Sequence, residues 1–136
     1  KPHTTSRLSY KGILDGDSRA VFGGTVLVRQ GAQKAESQQS DKNLLLSKEA
    51  EINSKPSLLI YADDVKCSHG ATAGHIDEEA VFYMRSRGID LATARDLMLR
   101  GFGNEIIDTV PIETLRNYIA ILLLGSLPHS QPEEES

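Results

Sequence analysis

Cys67 and His69 are the residues of this chain best suited to chemistry. Cys67 is the only cysteine, and an imidazole follows two positions later in the segment YADDVKCSHGAT, Tyr61 to Thr72. If the stretch from Cys67 to His69 is extended, side chains alternate between faces and these two point the same way. A thiolate and an imidazole on one face can bind a soft metal or an iron–sulfur species. They can also act as a nucleophile and its base. A single Cys-x-His pair equally describes a small buried thiol beside a surface histidine.

The remaining polar residues offer less. Asp63 and Asp64 are adjacent, so on a strand they face opposite sides and are read as turn residues. Asp41, Glu49 and Glu51 read as solvent-facing charges, and His75 as a surface residue leading into a helix. His3 and His129 lie near the two ends. Gly23-Gly24 lacks a following Gly-Lys-Ser or Gly-Lys-Thr, so no phosphate-binding loop of that type is present. There is no Gly-x-Ser-x-Gly elbow and no His-Glu-x-x-His zinc helix.

The elements that must position these residues fall into two halves. Five strands are expected at Arg7–Leu14, Arg19–Arg29, Asn43–Leu46, Ala50–Asn53 and Ser57–Ala62. Turn residues separate them at Asp15-Gly16-Asp17, Gly23-Gly24, Gly31, Ser40-Asp41 and Lys55-Pro56. Ala32–Asp41 is rich in Gln and Ser and reads as a loop. The apolar steps Ile13-Leu14 and Leu45-Leu46 lie 32 residues apart, as do Val26-Leu27-Val28 and Leu58-Leu59-Ile60. At that offset Lys34 falls on Lys66 and Ala35 on Cys67. A fixed period of short strands fits a stacked β-solenoid, and an ordinary antiparallel sheet is the alternative.

Helical signals follow. Asp77 is an N-cap with Glu78 and Glu79 behind it, and Gly88 is the expected C′ residue. Val81, Phe82, Tyr83 and Met84 carry the apolar content. Asp90 caps a second helix whose Leu91, Ala94, Leu97 and Met98 recur at helical spacing, with Gly101 and Gly103 ending it. Asn104 to Asp108 then form a short turn. Pro111 starts a third helix, with Ile112, Leu115, Ile119, Leu122 and Leu123 as its stripe. The expected organisation is residues 1–72 as β-solenoid coils, 73–127 as a helical subdomain and 128–136 as a disordered acidic tail. The fold class is mainly β with α.

Composition narrows the function classes. Of 136 residues, 39% are hydrophobic and 25% charged, with a net charge of -4. That balance argues against gripping a phosphate backbone, so no nucleic-acid partner is expected. The longest apolar run, Ile119 to Leu124, is too short to cross a bilayer, and KPHTTSRLSY has no apolar signal-peptide core. One cysteine makes no internal disulfide, which fits a reducing compartment. The opening Lys and its mid-structure character lead us to expect the C-terminal piece of a longer protein.

The segment NLLLSKEAEINSKPSLLIYADDVKCSHGATAGHIDEEAVFYMRSRGID, Asn43 to Asp90, strongly resembles the SufB/SufD family of iron–sulfur cluster assembly proteins. The likeness extends back through AVFGGTVLVRQGAQKAESQQ and forward to Arg100-Gly101-Phe102. LLLS, the Lys-Pro strand entry, YADDVKCSHGAT and DEEAVFYMRSRGI together make it specific. SufB members typically carry a Glu after the corresponding histidine. Here that position is Gly70, so the string Lys66-Cys67-Ser68-His69-Gly70 resembles the SufD branch.

The resemblance implies C-terminal coils of a parallel β-helix followed by a small helical subdomain. It implies a scaffold without catalytic activity of its own, pairing with a SufB-like paralogue and anchoring a SufC-like ABC ATPase, in which the ATPase activity resides. His69, with Cys67 second, would stand at the cluster-assembly site on the SufB interface. An iron–sulfur cluster would be held there transiently, in complex with SufB, and not stably by this chain alone. One thiolate and one imidazole underfill a cluster, which takes about four protein ligands. Phe82, Tyr83, Leu97 and Phe102 are the residues expected to meet the ATPase. In isolation the open solenoid end could also recruit a second copy. Bacterial cytoplasm is the expected location, with a plastid as the eukaryotic equivalent.

Overall fold

The computed structural model describes residues 1–127, which form five strands and three helices. The acidic tail expected at 128–136 lies outside the described residues. By internal contacts the chain divides after His75 into a strand unit and a helix unit beginning at Ile76.

In the strand unit every strand is ten residues long: β1 (Thr5–Leu14), β2 (Arg19–Val28), β3 (Glu36–Leu45), β4 (Glu51–Ile60) and β5 (Lys66–His75). All three pairings are parallel, and each joins a strand to the second one after it. One sheet has the order β1-β3-β5 and the other is the pair β2-β4. Consecutive strands therefore alternate between two sheets. The turn before β2 forms where expected: Ser18 N–H donates to the Asp15 carbonyl at 3.2 Å, and Gly16 sits at φ +58°, a conformation that favours glycine.

The spacing of 32 holds for one sheet only. β2 and β4 pair at that offset, with Val26 opposite Leu58. β1 and β3 pair at 31, Leu14 opposite Leu45, and β3 and β5 at 30. Cys67 thus lies opposite Ser37, not Ala35. The connections between strands differ by a residue or two, which a fixed period cannot anticipate.

Three other expectations are corrected. The stretch read as a loop at Ala32–Asp41 contains most of β3, which the sequence placed only at Asn43–Leu46. The two strands expected at Ala50–Asn53 and Ser57–Ala62 are one, β4, running straight through Pro56. β4 pairs with β2 alone in its sheet, so one side has no ladder for proline to break. The third is Asp41, expected in solvent, which is only 2% exposed. Leu14, Val28, Ala35, Ala50 and Ala62 form the small apolar core of this unit, joined by buried Gln39, Asp41 and Asn43.

The helix unit contains α1 (Glu78–Ser86), α2 (Leu91–Ile107) and α3 (Glu113–Ser126). Asp77 caps α1 by accepting from the N–H groups of Glu79 and Ala80 at 3.0 and 3.2 Å. Gly88, at φ +90°, follows the Arg87 cap as expected. Asp90 caps α2 by accepting from Thr93 N–H at 3.0 Å. Gly101 and Gly103 do not end α2, which continues to Ile107 and absorbs the turn expected at Asn104 to Asp108. Gly103 serves packing instead: Leu123 of α3 occupies the space where its side chain would be. Pro111 stands just before α3, whose N-cap is Ile112. Val81, Ala94, Leu99, Ile107 and Leu127 are the buried apolar residues here. Among the described residues no helix is long and apolar enough to cross a membrane.

Candidate functional site

β5 positions both Cys67 and His69. It is an edge strand, paired with β3 on one side and without a strand on the other among the described residues. Its composition is small and polar, KCSHGATAGH, with no apolar residue larger than alanine apart from Cys67. Parallel pairing to β3, and no hydropathy pattern of its own, makes this segment a strand.

The register settles which way the two residues face. Along β3, Gln39, Asp41 and Asn43 are buried, while Gln38 and Lys42 are exposed. Cys67 lies opposite Ser37 and His69 opposite Gln39. In a parallel pair, residues in register share a face. Cys67 and His69 therefore stand on the face that buries the polar row of β3, as the conditional reading of the sequence required. Cys67 is half-buried and His69 exposed.

The polar row was not anticipated. It is hidden in the sequence because Gln, Asp and Asn at alternate positions look like a solvated stretch. Asp41 accepts from the Ser54 hydroxyl of β4. Asn43 Nδ2 reaches the main-chain carbonyl of Thr72 in β5 at 3.5 Å. Gln39 is 1% exposed, and neither atom of its carboxamide has a hydrogen-bond partner among the described residues. At the far end of β5, His75 Nδ1 lies 3.0 Å from the Leu45 carbonyl of β3. A carbonyl only accepts, so this Nδ1 carries the proton.

Among the described residues, no group of three or more His, Cys, Asp and Glu side chains gathers as a metal site. What β5 offers is one thiol and one imidazole on a common face, at the end of a stack of strands. Such a pair can contribute ligands to a centre completed by another surface.

In the helix unit, Phe82, Tyr83 and Leu97 are exposed, at 73%, 58% and 46%. Phe102 is half-buried. The guanidinium of Arg87 stacks 4.4 Å from the centre of the Tyr83 ring. The sequence did not single out Tyr118 and Ile121 of α3, which are exposed alongside Leu115 and Leu122 of its expected stripe.

Comparison with known proteins agrees with the resemblance seen in the motifs. Residues 1–102 match the model of the SUF system FeS cluster assembly SufBD core domain. An iron–sulfur cluster assembly SufBD family protein of Synechocystis is 47% identical over 115 residues, covering 85% of this chain and 25% of that protein. The iron–sulfur cluster assembly protein SufD of Escherichia coli is 43% identical over 128 residues, covering 94% of this chain and 30% of its own length. A chloroplastic protein of Arabidopsis thaliana is 44% identical over 117 residues, 85% of this chain and 25% of that protein. The chain thus spans between a quarter and a third of the length of these relatives.

Proposed function

Because the chain belongs to the SufB/SufD family and is SufD-like within it, we propose that it is the C-terminal portion of a scaffold subunit for iron–sulfur cluster assembly. The five strands form the last coils of a parallel β-helix. The alternation of strands between two sheets, each pairing at an offset of 30 to 32 residues, supports that architecture.

The scaffold pairs with a SufB-like paralogue through the end of the stack that β5 forms. His69, with Cys67 beside it, contributes to handling a cluster that is cargo and passes through the interface. The observation that carries this proposal is the shared face of Cys67 and His69 on the last strand. Two donors there underfill a cluster, and a facing subunit supplies the remainder. The helix unit anchors a SufC-like ATPase through exposed residues such as Phe82, Tyr83 and Leu97, with Phe102 at their margin. ATP hydrolysis belongs to that partner, and this chain performs no catalysis. Bacterial cytoplasm, or a plastid stroma, is the proposed location.

The experiment is iron and sulfide content of the complex purified anaerobically with its SufB-like and SufC-like partners, unmodified and with His69→Ala. A large loss of cluster at unchanged subunit stoichiometry is the expected result. Unchanged cluster content would reduce this subunit to a structural one.

A further inference from the structure

Gln39 is the one member of the buried polar row left without a partner. Both atoms of its carboxamide are sealed from solvent and unpaired among the described residues. Buried amides nearly always find a partner, and one left bare is costly. The surroundings restrict the choice. Gly24 of β2 lies against Nε2, so close that a Cβ there would overlap it. Leu8, in register on β1, has no polar side-chain atom. His69, whose side chain is exposed, is in register with Gln39 on β5, the two backbones one strand spacing of about 4.8 Å apart.

From this juxtaposition we infer that Gln39 is a positioning residue for His69. The His69 ring turns back on its strand and donates Nδ1–H to Gln39 Oε1. Side chains already bridge these two strands, one from each. His75 bonds back through Nδ1 to a β3 carbonyl, and the Asn43 carboxamide reaches across to β5. The bond fixes one tautomer and leaves Nε2 without a proton, its lone pair directed away from the sheet. A neutral imidazole offers a ligand only through an unprotonated nitrogen, and the bond made by the other nitrogen decides which one that is. The inference rests on the proposed role of His69, but it is tested separately.

The test is the tautomer of His69, read from ring nitrogen shifts of the intact chain labelled with 15N-histidine, at a pH where the ring is neutral. His69→Ala assigns the signal, and His75 serves as internal control. The Nδ1–H form of His69 should be enriched over the urea-unfolded chain. Gln39→Met should lower the Nδ1–H to Nε2–H ratio roughly 5-fold, the equivalent of about 1 kcal/mol for one hydrogen bond. Gln39→Glu keeps the acceptor and should keep the Nδ1–H form, while His75 stays unchanged in both variants. A folded-state ratio equal to the unfolded one would overturn the inference, and needs no variant to be seen. So would a ratio that Gln39→Met leaves unmoved, the result expected if a buried water occupies the amide. Cluster content in the His69→Ala complex judges the role of the histidine, and the tautomer judges Gln39, so each can fail alone.

Discussion

Leu123 of α3 lies against the bare Cα of Gly103 in α2, so close that a Cβ at residue 103 would overlap its Cδ2. Gly101, two residues earlier in the same helix, has open space where its Cβ would be. Two glycines in one helix thus stand there for different reasons.

The contrast gives a paired prediction. Gly101→Ala should stabilise the helix unit by about 0.5–1 kcal/mol, the propensity difference in a helix interior. Gly103→Ala has the same propensity gain but must displace Leu123, and overpacking costs about 1–3 kcal/mol. Chemical denaturation should therefore rank Gly101→Ala above Gly103→Ala, with the latter at or below the unmodified protein. The reverse order would show that α2 and α3 do not meet at this point.

Ser54→Ala should destabilise the strand unit by about 1–3 kcal/mol, because it removes the hydroxyl that satisfies a buried carboxylate. Adding Asp41→Leu should recover part of that loss, since removing both polar partners costs less than orphaning one. Urea unfolding of the two single variants and the double variant measures the coupling. Strictly additive effects would mean that Asp41 and Ser54 are not partners in solution.

Asp90 makes α2 sensitive to acid. The Thr93 hydroxyl, and after it the Thr93 N–H, hold its carboxyl below the ordinary carboxylate range. A lowered folded pKa means that the ionised form supports the fold. Its contribution is fully present above the ordinary carboxylate pKa and is lost as pH falls through the lowered value. Asp90→Asn keeps a capping oxygen but cannot titrate. The advantage of the unmodified protein over this variant should shrink as pH is lowered into the acid range. Melting temperatures compared across that range check this, and a gap that stays constant or widens would be the contrary result.

What could be read from the sequence, and what could not, follows from the range of the forces involved. Asp77, Gly88 and Asp90 act within one turn of the chain, so local residue types sufficed to place them. Val26 opposite Leu58 was legible because both flank apolar steps. β3 was not, because Gln39, Asp41 and Asn43 are buried by sheet pairing and inter-sheet contacts that residue type does not encode. β5 lacks large apolar side chains and owes its strand conformation to the ladder with β3. Gly103 was misread as a helix end because its purpose lies 20 residues away, in Leu123. At the candidate site, alternation put Cys67 and His69 on a common face only on the condition that the segment is extended, and no strand was expected there; the ladder with β3 supplies that condition. The buried carboxamide opposite His69 was not legible.

The pairing pattern also governs how this chain reaches its fold. No strand pairs with its immediate successor, and β1, β2 and β3 each pair with a strand some 30 residues further on. Loop-closure entropy is therefore spent before any ladder forms, which slows folding. The helices beyond Ile76 rest on contacts within a turn or between neighbours and need no such delay. During synthesis β3 must emerge before the β1–β3 ladder can form, and β5 before the second edge of β3 is covered. The polar inner residues of β3 keep that waiting strand wetted, and so less prone to stick to another chain.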